Sequence, residues 1–425
     1  MGTKLETGTR MQRLPTFRSP IRGVWFTSVL ASVLLVALPI VTITGFISWA
    51  AYGPQFGQAM PGDVGWLRIP SFDWPTEPAW LYRLTQGLHV GLGLVMVPIV
   101  LAKLWSVIPK LIEMPPVRSV AHLLERISLL ALVGGILFEI ITGVLNIQYD
   151  YIFGFSFYTA HYWGAWVFVA GFVAHVALKL PTMVTALRTR PFLELMRIRV
   201  ADTVPDADDE SGLAATDPAP ATISRRGALT LVGGSALFVA VLSVGQTTGG
   251  PLRSAAILLP RGRSYGDGPN DFQINRTAQS AGVTDAQTGD AWRLTVLAGG
   301  TEVVLTRAQL EQMDLHTVEL PISCVEGWST VQTWTGVPLR DLAALVGVDA
   351  VDTGEVRSLE PVGSFNRVTF GGHQMMHPDS LLALKVNGAD LSLAHGYPAR
   401  IMMPAIPGVH ATKWIESVEF FEERA

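Results

Sequence analysis

Long apolar runs constrain this chain more than any other feature of its sequence. A helix of about 20 apolar residues crosses the hydrocarbon of a bilayer. Such runs occupy 24–51, 80–108, 123–147, 158–180 and 228–244. Any one of them could be a buried core helix, but charged residues make up only 16% of the chain, against about 25% in soluble proteins. The pattern predicts an all-α transmembrane four-helix bundle followed by a fifth transmembrane helix.

The basic residues predict the orientation of these helices, because cytoplasmic loops carry an excess of Lys and Arg. Basic residues are frequent in the N-terminal tail, between the second and third runs, and after the fourth run. They are Lys4, Arg10, Arg13, Arg18, Arg22, Lys103, Lys110, Arg118, Arg188, Arg190, Arg197, Arg199, Arg225 and Arg226. The N-terminus is therefore predicted to be cytoplasmic, and the fifth helix to deliver the C-terminal domain outside the cytoplasm.

The chain is predicted to have five parts. They are a cytoplasmic tail at 1–22, the four-helix membrane domain at 23–182, a cytoplasmic linker at 183–226, the fifth transmembrane helix at 227–247 and an extracytoplasmic domain at 248–425. The last part is long enough to bury a hydrophobic core of its own.

The linker carries two signals. Residues 201–221 are rich in Asp, Ala, Pro and Thr, which is typical of a flexible connection. Ser224, Arg225 and Arg226 precede the fifth apolar run and resemble a twin-arginine export signal. Ordinary basic flanking of a membrane helix explains the same residues, and both interpretations stay open.

The charge balance and the single cysteine exclude several classes of protein. With 31 basic and 35 acidic residues the net charge is −4, too even for a nucleic-acid partner to be expected. One thiol cannot form an internal disulfide or a Cys-x-x-Cys metal site. Cys324 is therefore a buried apolar residue, a nucleophile or a single metal ligand.

Histidines within the apolar runs are candidate metal ligands, because ionisable residues are costly in a bilayer. His161 and His175 lie fourteen residues apart on the fourth run, which places them within about 40° of one helix face and about 21 Å apart along the axis. By depth, His161 matches His89, and His175 matches His122. The pattern predicts haem ligands, with interhelical hydrogen bonds as the alternative. Glu139, on the third run, relays quinol protons or is a neutral structural residue.

The segment from about 24 to 180 resembles the bacterial four-helix b-type cytochromes. These proteins pass electrons between a quinone pool and a periplasmic enzyme. The resemblance rests on the helix count and on His89, His161 and His175. It implies haem b, a quinone or quinol partner and a bacterial plasma (inner) membrane. The family commonly takes a ligand from its first helix, which has no histidine here, so one or two haems are expected.

In the C-terminal part, short alternating runs replace the long apolar runs, and several motifs occur. Short alternating runs at 292–297 and 302–305 predict strands, and 337–346 predicts a short helix, so an α+β domain is expected. The motifs are Ile-Asn-Arg at 274–276, Leu-Pro-Ile-Ser-Cys-Val-Glu-Gly-Trp-Ser at 320–329, Trp-Thr-Gly-Val-Pro-Leu at 334–339, His-Gly-Tyr-Pro-Ala-Arg at 395–400 and Gly-Val-His-Ala-Thr-Lys-Trp at 408–414.

These motifs resemble the cofactor domain of the sulfite-oxidase superfamily of molybdenum enzymes, near the branch with the periplasmic methionine sulfoxide reductase catalytic subunit. The resemblance implies that Mo-molybdopterin is bound with Cys324 as a metal ligand. It implies cofactor contacts from Asn275, His395, Arg400, Gly408, His410 and Lys413. The chemistry agrees, because molybdenum accepts thiolate and a pterin phosphate favours Arg and Lys. His395 contacts pterin or is structural, and Glu326 tunes the site or stabilises a turn.

Three functions remain open from the sequence. The first is a reductase that takes electrons from quinol through b haem and removes oxygen from an extracytoplasmic S-oxide or related small molecule. The second is a sulfite-type dehydrogenase that feeds electrons into the membrane. The third is a cytochrome-anchored binding module with an inactive molybdopterin-like domain. The segment after Cys324 lacks the Arg cluster of sulfite oxidases, which favours the first, whereas His395 favours the second.

Overall fold

The computed structural model describes residues 17–62, 70–113, 117–147, 151–207, 212–258 and 265–422. Lys4, Arg10 and Arg13 of the predicted tail lie outside these ranges. The N-terminal half is helical. Its helices are α1 (Val24–Ala51), α2 (Leu81–Val95), α3 (Val97–Leu111), α4 (Val120–Ile147), α5 (Phe157–Thr189), α6 (Phe192–Arg197), α7 (Arg225–Val241) and α8 (Gly245–Thr248).

Four stretches of the described chain form helices long and apolar enough to cross a membrane: Val24–Phe56, Val120–Ile147, Phe157–Thr189 and Arg225–Thr248. A fifth is obtained if α2 and α3, which meet at a 41° bend, are one span. Several apolar helices in this half suit a membrane protein.

The second apolar run was expected to be one continuous helix, and this is wrong. The helix is interrupted at Met96. Pro98 follows the interruption. Proline has no N–H for the carbonyl four residues earlier, here that of Leu94, and its ring clashes with that carbonyl. The bend therefore has an identifiable cause in the sequence.

The C-terminal half is an α+β domain built on two sheets. Its strands are β1 (Leu294–Ala298), β2 (Thr301–Leu305), β3 (His316–Ser323), β4 (Ser329–Pro338), β5 (Thr353–Ser358), β6 (Arg367–Gly371), β7 (Leu381–Val386), β8 (Ala389–Asp390), β9 (Arg400–Met402) and β10 (Ile415–Phe421). Its helices are α9 (Ala278–Ala281), α10 (Asp285–Thr288), α11 (Arg307–Glu311), α12 (Leu339–Leu345) and α13 (Gly372–Met375).

The first sheet has the order β2-β1-β10-β5-β6, and the second β3-β4-β7-β8, with β9 also paired to β7. Within the described residues the β1–β10 pair is parallel. Both strands predicted from alternation are present. The helix predicted to begin at Val337 begins at Leu339, because Val337 and Pro338 still pair with β7.

One hydrophobic core supports both sheets. Leu294, Trp334, Leu342 and Ile401 each have no exposed surface and belong to one buried cluster. Cys324 belongs to the same cluster and lies in the loop of the β3–β4 hairpin, directly after the core strand β3. The hairpin therefore fixes the position of the thiol.

The chain forms two compact units. The smaller comprises Met1–Leu34, Pro98–Leu123 and Ala177–Gly234, and the larger Leu35–Val97, Leu124–Val176 and Ser235–Ala425.

The described residues of the expected flexible linker, 201–221, make specific contacts in the smaller unit. The Asp206 carboxylate forms ion pairs with Arg190 and Arg225. Arg225 is buried and also donates to the carbonyl of Val204, whereas Arg226 is exposed. Arg225 thus ties the linker to the start of α7.

Candidate functional site

The Cys324 loop is a tight turn between β3 and β4. The Cys324 N–H donates to the Trp328 carbonyl at 3.0 Å, and the Gly327 N–H donates to the Cys324 carbonyl at 3.0 Å. Gly327 has a φ of 91°, which glycine adopts at little cost. The turn holds Cys324 at 4% exposure, so its thiol is placed by backbone geometry.

Glu326 is bonded inside this turn. Its carboxylate accepts a hydrogen bond of 2.8 Å from the Trp328 indole N–H, and both side chains are buried. This contact supports the turn-stabilising interpretation of Glu326. A tuning role toward a metal-bound group stays a prediction.

The loop that carries Gly408 and His410 packs on the Cys324 turn. The Gly408 N–H donates to the Ser323 carbonyl at 2.7 Å, and a Cβ at Gly408 would lie 2.7 Å from the same oxygen. Only glycine allows this approach. His410 is buried, and burial lowers its pKa to about 3, so its ring is neutral. Its Nε2 has no hydrogen-bond partner in the described chain.

Arg400 and His395 form a buried pair. The Arg400 guanidinium donates to the carbonyls of His395 at 3.0 Å and Ala411 at 2.9 Å, and lies 5.1 Å from the Trp334 ring centroid. Burial lowers the pKa of Arg400 to about 9. The His395 ring stacks on Phe272 at 3.8 Å and bonds the Asn270 carbonyl at 2.9 Å. Burial, with the Arg400 charge, lowers the pKa of His395 to about 3.

These contacts favour the structural interpretation of His395. Its ring bonds to the loop that contains Asn270, and its carbonyl accepts a hydrogen bond from Arg400.

Lys413 connects the segment that contains Asn275 with the segment that contains His395 and Arg400. Its ammonium donates to the carbonyls of Arg276 at 2.6 Å and Ala394 at 2.9 Å. Arg276 directly follows Asn275, which is half-buried. A Cβ at Gly396 would lie 3.1 Å from the Cβ atoms of both Arg400 and Lys413. The predicted cofactor residues are therefore brought together from segments more than a hundred residues apart.

The chemistry of this cluster fits an anionic pterin group with a soft metal. Arg400 Nε and His410 Nε2 are buried atoms without a hydrogen-bond partner among the described residues. Such orphaned polar atoms are costly unless something binds them. The buried thiol of Cys324 could supply a thiolate ligand to a soft metal.

A cavity of about 180 Å³ lies among the helices of the larger unit. Its lining is mostly apolar, with His89, Glu139 and His161 among its ionisable residues. Gly93 also lines it, and a Cβ added there would meet nothing within 4 Å. At Gly45 a Cβ would lie 2.8 Å from the His89 ring, so glycine lets that ring pack on α1.

The two imidazoles in the cavity are oriented as a facing pair. His89 Nδ1 bonds the Val41 carbonyl at 2.9 Å, and His161 Nδ1 lies 3.0 Å from Glu139 Oε2. The Val41 carbonyl places the proton of a neutral His89 ring on Nδ1 and leaves its Nε2 lone pair free. The hydrogen-bond partner of His161 Nδ1 is the Thr142 hydroxyl, at 3.0 Å. The ring centroids are 6.1 Å apart. Two imidazoles bound to one metal through bonds of about 2.0 Å have ring centroids about 6 Å apart, so this separation is compatible with ligands of a single metal.

The second predicted pair stays a prediction. His122 belongs to the smaller unit and His175 to the larger. The His122 Nδ1 accepts a hydrogen bond from the Arg118 N–H at 3.1 Å. An accepting Nδ1 places the proton of a neutral ring on Nε2, which disfavours ligation by that nitrogen.

The cavity and the Cys324 turn are adjacent in the larger unit. Val325 lines the cavity, and its carbonyl accepts a 2.6 Å hydrogen bond from the Gln86 amide. A Cβ at Gly327 would lie 2.7 Å from the Val90 side chain, so α2 packs directly on the turn.

Aromatic rings also pack continuously from the cavity to the Gly408 loop. The His161 ring lies 4.9 Å from Phe157, which lies 5.6 Å from Tyr158. Tyr158 lies 5.5 Å from Tyr52, which lies 5.3 Å from His410. No solvent gap separates the two sites along this row.

Sequence reasoning missed Gln86, Tyr52 and Thr142. Thr142 Oγ1 lies 3.0 Å from His161 Nδ1, and Glu139 lies near the same ring nitrogen. The spacing of three residues between Glu139 and Thr142 on one helix was a usable signal. No local pattern indicates that Gln86 and Tyr52 contact a domain more than 200 residues away.

Comparison with known proteins identifies a domain in the C-terminal region. Residues 281–425 match the family model of the oxidoreductase molybdopterin binding domain. The chain is 30% identical over 112 residues to a protein of Azospira oryzae, provisionally named protein-methionine-sulfoxide reductase subunit YedZ1, covering 26% of this chain and 38% of that protein. It is 27% identical over 106 residues to a sulfite oxidase of Arabidopsis thaliana, covering 22% and 27%.

A solved structure, the sulfane dehydrogenase SoxCD from Paracoccus pantotrophus, is 23% identical with a TM-score of 0.29, covering 32% of this chain and 39% of that chain. The matched stretches thus span less than two fifths of the length of each of these three proteins. The family match is consistent with the motifs around Cys324, Arg400 and Lys413. The C-terminal region of this chain is a sulfite-oxidase-like, molybdopterin-binding oxidoreductase domain.

Proposed function

We propose that this chain is a membrane-bound molybdenum oxidoreductase that couples a quinone pool to an extracytoplasmic substrate through a b haem. We further propose that it reduces an S-oxide or similar oxide, from a bacterial inner membrane with the C-terminal domain outside. The observation that carries the proposal is the position of Val325. This residue lines the cavity that contains His89 and His161, and it directly follows Cys324.

In the molybdopterin site, Cys324 would hold the metal through its thiolate. Gly408 keeps the backbone close to the turn, and Arg400 and His410 present unsatisfied nitrogen atoms. When bound, the molybdenum group supplies two-electron chemistry with transfer of an oxygen atom. Lys413 and His395 hold the surrounding loops through backbone carbonyls and so keep Arg400 in place.

In the helix cavity, His89 and His161 would hold a haem, which supplies one-electron transfer. Their Nδ1 atoms are bonded to the Val41 carbonyl and the Thr142 hydroxyl, which holds both rings in place. The open position at Gly93 leaves room beside the rings.

Two features support reduction of a neutral oxide. No Arg or Lys occurs from 325 to 339, so the stretch after Cys324 offers no cationic side chain for an anionic substrate. The Azospira relative is named as a methionine-sulfoxide reductase subunit. The second candidate, a sulfite-type dehydrogenase running in the opposite direction, is supported by the similarity to a sulfite oxidase.

The test uses the full-length protein in detergent. Haem is reduced with a quinol analogue, and methionine sulfoxide is then added. Reoxidation of the haem band supports the reductase. In a separate sample, reduction of oxidised haem by sulfite supports the dehydrogenase. The matched control is Cys324→Ser, in which neither response is expected, and a wild-type protein without either response contradicts both functions.

A further inference from the structure

Two backbone carbonyls of the Cys324 turn are bonded to side chains from the helical half of the chain. The Gln86 amide donates to the Val325 carbonyl at 2.6 Å, and the Thr247 hydroxyl donates to the Gly327 carbonyl. Gln86 lies on α2, 239 residues before Val325, and Thr247 lies on α8, 80 residues before Gly327. The turn that carries the thiol is therefore held by two helices outside the α+β domain.

One face of α2 supports both contacts. Arg83, Gln86, Gly87 and Val90 lie at positions i, i+3, i+4 and i+7 along the helix, so they share one side of it. A Cβ at Gly87 would lie 2.3 Å from Thr247 Cγ2, so glycine there lets α8 pack against α2. The Arg83 guanidinium donates to the Thr247 carbonyl at 3.0 Å. The α2 face therefore provides one bond to the turn directly and holds the residue that provides the other.

Both hydrogen bonds lie where the turn closes over its thiol. Cys324 and Gln86 are each 4% exposed. Gly327 is buried, and Val325 and Thr247 are half-buried. A carbonyl in such a place is costly when it lacks a donor. Loss of either bond therefore favours an open turn, in which water solvates the carbonyl and the thiol is exposed.

We propose that Gln86 and Thr247 are positioning residues for the Cys324 sulfur atom, and that they hold this metal ligand, which lies on a loop, against the helices. The inference rests on the proposed function only where it takes Cys324 as a molybdenum ligand, because both hydrogen bonds form within the chain itself. A ligand on a loop is held less precisely than one on a helix, and these bonds connect the loop to α2 and α8.

The consequence concerns the two proposed cofactors. The helix α2 also carries His89, and Gln86 lines the same helix cavity. One helix thus holds a proposed haem ligand and contacts the turn of the proposed molybdenum ligand. The separation of the two sites is thereby set by α2 and not by the loop alone.

The single cysteine of the chain is the probe that tests this proposal. Full-length protein in detergent is prepared from cells grown without molybdate, so that no molybdenum blocks the thiol, and is treated with N-ethylmaleimide. A buried thiol reacts when the turn opens locally, so the rate of alkylation reports the opening equilibrium. Wild type is expected to react slowly.

Thr247→Val and Thr247→Ser form a matched pair. The valine keeps the shape but removes the donor to the Gly327 carbonyl, so we expect alkylation to be about tenfold faster than in wild type. The serine keeps the hydroxyl and should react within about threefold of wild type. Thr248→Val is the neighbouring control. The Thr248 hydroxyl is exposed and bonds to the Val244 carbonyl at 3.2 Å, so its loss should also change the rate less than about threefold.

A rate in Thr247→Val within about threefold of wild type, or an equal rise in Thr247→Ser or Thr248→Val, would overturn the inference. If Thr247→Val does not fold, as judged by circular dichroism, Gln86→Met decides by the same criterion, and failure of both variants to fold overturns the inference as well. Wild type from molybdate-fed cells that contains no molybdenum refutes the proposed function, whereas alkylation rates that do not depend on Thr247 refute only the positioning role.

Discussion

The helix cavity and the Cys324 turn are two candidate cofactor sites built in opposite ways. In the cavity, a few polar side chains project from helices into open space, and glycines such as Gly93 leave that space unfilled. Around Cys324 the backbone itself is close-packed, with the Gly408 N–H 2.7 Å from the Ser323 carbonyl. Here Lys413 is bonded to the carbonyl of Arg276, 137 residues earlier in the chain, and Arg400 to the carbonyl of His395.

The difference shows which changes each site should tolerate. A site made of side chains on rigid helices loses its ligand when one side chain is removed, while the helices persist. A site made of interlocked loops is sensitive to backbone geometry and to the protonation of buried groups. A substitution that disables one site should therefore leave the other intact, although Val325 lines the cavity and also belongs to the Cys324 turn.

The largest expected effect is that of Cys324→Ser, which should impair the molybdopterin site and leave the haem site intact. Loss of the thiolate ligand is expected to lower turnover by about a hundredfold or more, since even indirect partners of a metal are worth about 10–100-fold. Haem absorbance should stay at the wild-type level. The measurement is substrate-dependent reoxidation of haem beside its spectrum, and a fully active serine variant would contradict the assignment of Cys324.

His161→Ala should impair the helix cavity and leave the Cys324 site intact. It removes one imidazole of the facing pair, so the haem band is expected to be lost or shifted while the molybdenum content is unchanged. His175→Ala is the informative companion. If only the His89–His161 pair binds haem, His175→Ala leaves the spectrum unchanged, whereas loss of half of the absorbance would reveal a second haem.

The two sites also differ in how far the sequence predicts them. Hydropathy located the helices, helical spacing placed His161 and His175 on one face, and depth in the bilayer matched His89 to His161. All three signals follow from residue type and position along the chain. The bend at Met96 was not predicted although Pro98 lies in the second apolar run, because the prediction relied on the length of that run. The close approach of Glu139 to His161 could not be foreseen, because it depends on how α4 packs against α5. The Cys324 site was recognised only through motifs, since its carbonyl contacts join loops remote in sequence.

Low pH should weaken the Cys324 side. His395 and His410 have pKa values lowered to about 3 by burial, whereas the unfolded chain protonates each near about 6.5. Stability is therefore fully present above that pH and falls below it, because the unfolded state binds more protons. At pH 5 each imidazole should cost about 2 kcal/mol.

Denaturant unfolding from pH 7 to pH 5, followed by tryptophan fluorescence, measures this loss. His410→Gln should remove about half of the pH dependence. A stability that does not vary over this range would contradict the neutral, buried state of the two rings.

The smallest expected effect compares neighbouring glycines on α4. A Cβ at Gly135 would lie 2.8 Å from the Phe168 Cα, whereas a Cβ at Gly134 would meet nothing within 4 Å. Gly135→Ala should destabilise the helices by about 1–3 kcal/mol, and Gly134→Ala should be neutral or stabilising by up to about 1 kcal/mol. Thermal loss of the haem band is the readout, and the opposite order would contradict the close α4–α5 packing.

Metal analysis of the purified full-length protein tests the central claim most directly. Plasma mass spectrometry gives molybdenum and iron per chain in wild type and Cys324→Ser. We predict one molybdenum per chain in wild type, markedly less in the serine variant, and the same iron content in both. Haem-bearing wild-type protein without molybdenum would contradict the claim that Cys324 holds a molybdenum cofactor beside the helix cavity.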